Sequence, residues 1–377
     1  MNSKIIKKCQ RLTGGLAQAA DNAAGQHSKK LKNINSKKMN KEKVRLSKGF
    51  WHKFIPNSDK LISPQNIKFE IWDLNAHKII DKWNPDMYCI RYCAFNKAGD
   101  KFILSGGCNG NESEFEIYNT DTFGLVNKFW FPEQSDNAIF CSEDDSFIFG
   151  TWEGNVYKVG LNDKIVFTET ETKIGAKTYK NYAVSAENNN KLLHIENSLI
   201  NLTEADTDNN NIFFVISPIV LKAENSHLLS DYILVYNLKT KTQNEIRLPL
   251  TEENYQIASI KYHKGKLAIM KTVYGGKENG NVFHNADLFV FDLENQNLKT
   301  IKERFKIRDV FSNAQILSWN TNGKLAFISL NEIIITDTLN DFSETAVAFD
   351  RPTSVEFSED GKSIAIGGDK ALLYRLA

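Results

Sequence analysis

The sequence contains no run of 18 apolar residues, the length a membrane-crossing helix requires, so no transmembrane segment is expected. The charged N-terminus lacks an apolar region behind it, which speaks against a secretory signal. Five Cys, at 9, 89, 93, 108 and 141, form an odd set that matches no disulfide framework and no zinc motif. Cys89 and Cys93 lie four apart in a strand-like stretch and read as small buried hydrophobes, and reduced thiols point to a cytoplasmic setting. The seven His show neither His-x-His nor His-Glu-x-x-His spacing, so no metal and no cofactor is expected. Asp206-Thr207-Asp208-Asn209-Asn210 opens like a calcium loop, but Asn211 and Ser217 stand where Gly and Glu are needed. A Gly-x-Ser-x-Gly elbow and a phosphate-binding loop are also missing; Gly106-Gly107 and Gly367-Gly368 end strands. These absences predict no catalytic residues and a chain that is not an enzyme.

Charge is unevenly placed. Residues 1–53 hold twelve Lys and two Arg against one Asp and one Glu, a net of +12 in a chain whose total is +1. The rest therefore carries −11, a basic tail on an acidic body. Residues 1–43 read as an N-terminal extension and 44–377 as the folded domain. Ile5, Cys9, Leu12, Leu16, Ala20 and Ala23 recur at steps of three and four, which is helical spacing. Lys4, Lys7, Lys8 and Arg11 fall largely off that stripe and are the candidate tail contacts for nucleic acid, an anionic surface or an acidic partner. Gly14-Gly15 interrupts the pattern, and the Lys/Asn/Ser-rich stretch 26–43 has few apolar groups to bury, so the extension is expected to be partly helical or disordered.

From about residue 44 the period changes to two. Phe (24) and Tyr (12) are plentiful where Pro (7) and Met (4) are scarce, as a half-buried pleated surface prefers. Two features recur. The first is an aromatic or apolar residue, a polar turn and an apolar strand, as in Phe95-Asn-Lys-Ala-Gly-Asp-Lys101, Trp319-Asn-Thr-Asn-Gly-Lys324 and Phe357-Ser-Glu-Asp-Gly-Lys362. The second is a dense apolar strand ending on a polar residue, as in Phe69-Glu-Ile-Trp-Asp73, Phe115-Glu-Ile-Tyr-Asn119 and Leu288-Phe-Val-Phe-Asp292. Matching positions 72, 118, 157, 193, 236, 291, 336 and 374 are separated by 36 to 55 residues, near the length of a four-stranded blade.

Together these segments resemble WD40 repeats over roughly residues 48–377. Phe357 to Arg375 looks like the family's a–b–c strand pattern, Phe95 to Tyr118 repeats it, and Trp72-Asp73 stands where the namesake dipeptide ends strand c. Gly-His never occurs as a dipeptide and Trp-Asp occurs once, so the buried His–Asp network of typical WD40 blades is expected to be absent. The resemblance implies an all-β propeller of four-stranded antiparallel blades. Eight c-type strands give eight blades, or seven if the stretch 171–203 is an insertion. The last blade holds three strands, and Val44-Arg45-Leu46-Ser47 is the candidate fourth that closes the ring.

In such a meander the b–c loops and the d–a crossings leave one face, the usual binding face of propellers. Two b–c connections are long, 218–231 and 274–286, and belong to consecutive blades. They offer Lys222, Glu224, His227, Tyr274, Lys277, Glu278, Phe283 and His284, and Trp152 in Gly-Thr-Trp-Glu-Gly adds an aromatic anchor at a third b–c position. The expected function is a monomeric, non-enzymatic scaffold for protein partners. The alternatives are a propeller-type hydrolase or lactonase with a dispersed site at the channel mouth, and a nucleic-acid-associated factor using the basic tail.

Overall fold

The computed structural model describes residues 43–376, apart from 66–67, 86, 88–89, 107–111, 142–144, 164–166, 175–176, 185–190, 207–209, 222–225, 250–253, 279–280, 309–314 and 339–343. Lys4, Lys7, Lys8, Arg11 and the helical reading of the extension lie outside these residues.

Seven four-stranded antiparallel sheets follow one another around a central channel. Strands are lettered a to d from the channel outward. Blade 1 comprises Lys53–Phe54, Lys60–Gln65, Lys68–Asp73 and Lys78–Trp83; blade 2, Ile90–Phe95, Lys101–Gly106, Ser113–Asn119 and Leu125–Phe131; blade 3, Ala138–Phe140, Ser146–Gly150, Asn155–Gly160 and Lys191–His194. Blade 4 comprises Ser198–Asp206, Asn211–Leu221, Tyr232–Asn237 and Gln243–Ile246; blade 5, Gln256–His263, Lys266–Glu278, Asn281–Asp292 and Asn297–Arg308; blade 6, Leu317–Trp319, Lys324–Ser329, Glu332–Asp337 and Glu344–Ala348. Blade 7 takes strands a to c from Pro352–Phe357, Ser363–Gly368 and Leu372–Arg375, and its strand d from the other end of the chain, Lys43–Arg45.

Of the two counts the sequence allows, the ring has seven. The strand around Leu193, read as a c strand, is the d strand of blade 3 and pairs with strand c through Asn155↔His194 and Val156↔Leu193. Between those two strands the chain makes a separate hairpin, Phe167–Ile174 with Lys177–Val184. Leu192-Leu193 imitates the apolar c pattern, but an outer strand is only half covered.

The turn signals become geometry. Gly99, Gly323 and Gly361 sit in the a–b turns of blades 2, 6 and 7 at φ of 75°, 75° and 67°, a left-handed backbone that glycine adopts without strain. The polar residue that ends strand c caps the next turn. Asp73, Asn119, Asn237 and Asp292 each accept backbone N–H bonds from the residues two and three further on, at 2.8–3.1 Å.

Alternation along each strand explains why the sheets stand in a ring. In strand b of blade 2, Phe102 and Leu104 pack towards blade 1, with Phe69 and Ile71, while Ile103 packs towards blade 3, with Phe147 and Phe149. In strand b of blade 4, Ile212, Phe214 and Ile216 face blade 3, and Phe213 and Val215 face blade 5. Every blade therefore buries both faces against a neighbour, and a Phe in such a position contributes about 3–5 kcal/mol relative to Ala. Aromatic rings fill the interface of blades 2 and 3, where Phe115, Phe131 and Phe149 lie with centroids 4.5–5.8 Å apart.

The seam lies between blades 7 and 1. Val44 pairs with Leu373 and Arg45 with Leu372, and the Leu46 amide donates to the Ala371 carbonyl at 3.0 Å. Beyond it the Gly368 amide donates to Gly49 O at 2.9 Å, and the Lys48 ammonium meets Asp369 at 2.6 Å. Leu46, Phe54, Leu61, Trp72, Ala365, Ala371 and Leu373 form the apolar filling of this seam.

His52 lies at the same crossing, 1% exposed, with neither ring nitrogen hydrogen-bonded to the protein. Burial lowers its pKa from 6.5 to about 3, so the folded ring holds it neutral. Its contribution to stability is complete above pH 6.5 and is lost as the pH falls towards 3, because the unfolded chain binds the proton first. Replacing it by Leu is expected to flatten the pH profile: the thermal stability of His52→Leu relative to the wild type should rise as pH falls through that window, by at most about 1.4 kcal/mol per pH unit. A constant difference across pH 7 to 4 in urea titrations would contradict the assignment.

Candidate functional site

Each innermost strand, or the crossing that feeds it, places polar side chains in the channel. Lys53 of blade 1 meets Glu356 of blade 7 at 3.0 Å, and Lys261 of blade 5 meets Glu204 of blade 4 at 2.9 Å. Burial opposes charge on Lys261, yet Glu204, Tyr92 and Glu356 hold its pKa above the ordinary lysine range. Asn137 and Thr203 link blades 3 and 4 by a reciprocal pair, Nδ2 to the Thr203 carbonyl at 2.7 Å and the Thr203 amide to Oδ1 at 2.9 Å. The buried Asp231 accepts from Ser217 Oγ at 2.6 Å and from the Ile257 amide at 2.7 Å, joining blades 4 and 5. Burial pushes its carboxyl up to about 7 against those two donors. What remains between Lys53, Tyr92, Glu204, Lys261, Gln315 and Glu356 is a cavity of about 30 Å³, room for water.

The b–c face is built differently. In blade 3 the turn Thr151–Asn155 folds onto the crossing 132–137 that arrives from blade 2. The Trp152 amide donates to Gln134 O at 2.8 Å, and its indole N–H donates to Asp136 at 3.1 Å. Arg91 reaches the same carboxylate at 3.0 Å. Glu133 accepts from Thr151 Oγ1 at 2.8 Å, from Asn155 Nδ2 at 2.8 and 3.0 Å, and from the Tyr157 hydroxyl at 2.8 Å. Burial first, and then the charge of Glu133, push the Glu153 carboxyl up to about 7.

Blades 4 and 5 project from this face as strands, where the sequence reads loops. In blade 4 strand b runs on to Leu221 and turns back on Ser226–Leu228, with Val220 opposite His227. Lys222 and Glu224 lie outside the described residues. In blade 5 strands b and c have 13 and 12 residues where those of blade 1 have six. The inner strand ends its pairing at Gln256↔Thr272, so from Val273 to the tip, where Glu278 pairs with Asn281, the hairpin stands clear of strand a. Those extra residues extend it by about 20 Å at the strand rise. Tyr274 is 58% exposed, and its ring meets His284 edge-on at 6.0 Å. Phe283 lies under the Lys306 ammonium at 4.3 Å, and Lys277 is exposed. Gly275 is required here: a Cβ would lie 2.6 Å from the Phe283 ring. Tyr274, Phe283 and His284 thus share one hairpin, while Trp152 belongs to a separate turn two blades away.

No family model matches this chain, and no curated protein does. Solved structures do. The β-propeller domain of Cps50 (Swd1) from Myceliophteria thermophila superposes with a TM-score of 0.59 at 11% identity, over 90% of this chain and 99% of that one. The RRP9 WD40 repeats superpose with a TM-score of 0.57 at 8% identity, over 89% and 97%. The chain folds as a WD40-like β-propeller. At such identities the likeness is one of fold.

This WD40-like propeller ties its blades through charged and polar side chains. The residues that sequence reasoning missed, Arg91, Glu133, Asp136, Lys53, Glu204, Lys261 and Glu356, come from inner strands or from d–a crossings. Their partners stand 16 to 303 positions away, on other strands or in other blades, so no local spacing marks them. Their only signal is a charged residue inside an otherwise apolar inner strand, as Lys261 is between Ile260 and Tyr262. Among the described residues no three His, Cys, Asp or Glu side chains converge as a metal site. Burial pushes the Cys93 thiol up to about 12, which keeps it protonated and inert.

The channel pairs give a direct test. Lys53 and Glu356 side chains are 9% and 16% exposed. Lys53→Met leaves Glu356 buried and unpaired and is expected to lower stability by about 3 kcal/mol or more, whereas Lys53→Met with Glu356→Leu should recover most of the loss. Chemical denaturation of the two variants decides: equal losses would show that the pair does not hold the seam.

Proposed function

We propose that the protein is a monomeric, non-enzymatic scaffold that recruits a protein partner through its b–c face. The observation that carries this reading is the blade 5 hairpin. A propeller needs strands only as long as the ring is deep, and among the described residues 274–285 add no side chain to the apolar core. Projecting elements of this kind, set on a rigid frame, are where binding groups concentrate. Fold alone does not fix function, and the two structural neighbours are named in their descriptions only as propeller or WD40 domains.

A hydrolase or lactonase at the channel mouth is less well supported. It would need open space beside unpaired acids or imidazoles, and the channel side chains are paired across a water-sized cavity. The nucleic-acid reading rests on residues 1–43, and the body's charge of −11 opposes phosphate. A cytoplasmic setting is part of the proposal: Cys93 and Cys141 are buried thiols, consistent with a reducing compartment.

Quantitative affinity capture tests the reading. The full chain, a chain lacking residues 1–43, and a chain with 219–228 and 274–284 each cut to a tight turn would serve as baits. The first two are expected to enrich the same partner, and the third to lose it by tenfold or more while keeping its thermal transition. Equal enrichment by the third bait would contradict the assignment, and loss on removing 1–43 would favour the tail.

A further inference from the structure

The Thr151–Asn155 turn of blade 3 has more buried acceptors than donors. Glu133 is caged by neutral donors alone, the Thr151 and Tyr157 hydroxyls and the Asn155 amide. Asn155 is 7% exposed, and because its Nδ2 serves Glu133, its Oδ1 is left without a donor beside that carboxylate. Glu153 Oε2 is likewise buried without a hydrogen-bond partner. The nearby Asp136 is already matched by Arg91 and the Trp152 indole N–H. Among the described residues, the remaining imbalance is therefore two carboxylates and one amide oxygen with no cation. Trp152 and Glu153 are both partly exposed, so the site opens at the surface beside an indole ring, which favours a cation.

We propose that this turn anchors a basic side chain of the bound partner, an ammonium or a guanidinium held by Glu153 and Asn155 with Trp152 as its wall. The proposal rests on the reading that the b–c face is the contact surface. Such a cation supplies the donors that Asn155 Oδ1 and Glu153 Oε2 lack and offsets the charge of Glu133. Binding carries a proton signature. Near neutral pH Glu153 is partly protonated, because burial and Glu133 favour the neutral form, and an arriving cation favours the ionised one. The other groups facing the turn are Tyr157, whose hydroxyl is fixed on Glu133 and whose pKa is raised by burial and by that carboxylate, and the Asp136–Arg91 pair.

The test is isothermal titration of the full chain, at low salt, with three blocked pentapeptides of sequence Ser-Gly-X-Gly-Ser, X being lysine, arginine or norleucine. The lysine or the arginine peptide should bind saturably and the norleucine peptide should not; which of the two binds identifies the cation. Affinity should rise about tenfold from pH 6 to pH 8, with proton release seen as a buffer-dependent heat. Glu153→Gln should lose both the binding and the pH dependence while keeping its thermal midpoint, since it removes a charge beside Glu133. Binding of all three peptides alike, of none, or with no pH dependence would overturn the proposal. So would a response to calcium chloride in place of the peptides. If Glu153→Gln fails to fold, the wild-type peptide and pH comparisons decide alone. Partner capture that survives Glu153→Gln but fails without the blade 4 and 5 projections would remove this anchor and leave the scaffold reading standing.

Discussion

Apolar surface on both faces of every sheet is the constraint from which the rest follows. A blade such as 101–131 presents Phe102 and Leu104 on one side and Ile103 and Phe115 on the other, so a single neighbour leaves half of it wet. A row of such blades only moves the problem to its two ends, and closing the row removes it. The last exposed face belongs to blade 7, whose fourth strand comes from Lys43–Arg45 at the far end of the chain. Seven interfaces are then equivalent in kind, but the seventh is made of residues about 300 positions apart, Phe54, Leu61 and Trp72 against Ala365, Ala371 and Leu373.

The inner ring is tied from blade to blade by polar side chains. Polar links join five of the seven neighbouring blade pairs at the inner ring: Lys53–Glu356, Arg91–Asp136, Asn137–Thr203, Lys261–Glu204, and Ser318 Oγ accepting the Phe357 amide. Buried ion pairs of this kind add little net stability over apolar replacements, but they penalise misregistered strands by leaving a charge alone. They also line the channel, leaving a cavity of about 30 Å³ between them, and the contact surface we propose lies on the b–c face. There the groups fall in two places, the acidic turn of blade 3 and the aromatic and cationic hairpin of blade 5.

Much of this was legible in the sequence. The Asn/Asp-Gly turns predict the a–b connections because few residues accept a left-handed backbone, and Asp73, Asn119, Asn237 and Asp292 end strand c because their side chains cap the next turn. The closing strand was legible from an arithmetic gap, three strands where four are needed. The blade count was harder to read, since Leu192-Leu193 satisfies the c pattern while lying in an outer strand. At the candidate site, length singled out 218–231 and 274–286, but Gly275-Gly276 imitated a loop: the glycines serve a bulge between Tyr274 and Gly276 and the packing of Phe283. Trp152 stood out as an aromatic between turn residues. Its partners Asp136, Arg91 and Glu133 did not, because a crossing and a neighbouring blade supply them.

Thermal unfolding of two truncated chains tests ring closure most directly. Removing residues 1–40 leaves the pairing of Lys43–Arg45 with Leu372–Arg375 intact, and the midpoint should stay at the full-length value. Removing residues 1–50 also takes Leu46 from the seam and the Gly49 contact with Gly368, and the midpoint should fall by several degrees, with blade 7 losing protection first. Equal midpoints for the two chains would mean that the N-terminal strand does not close the ring.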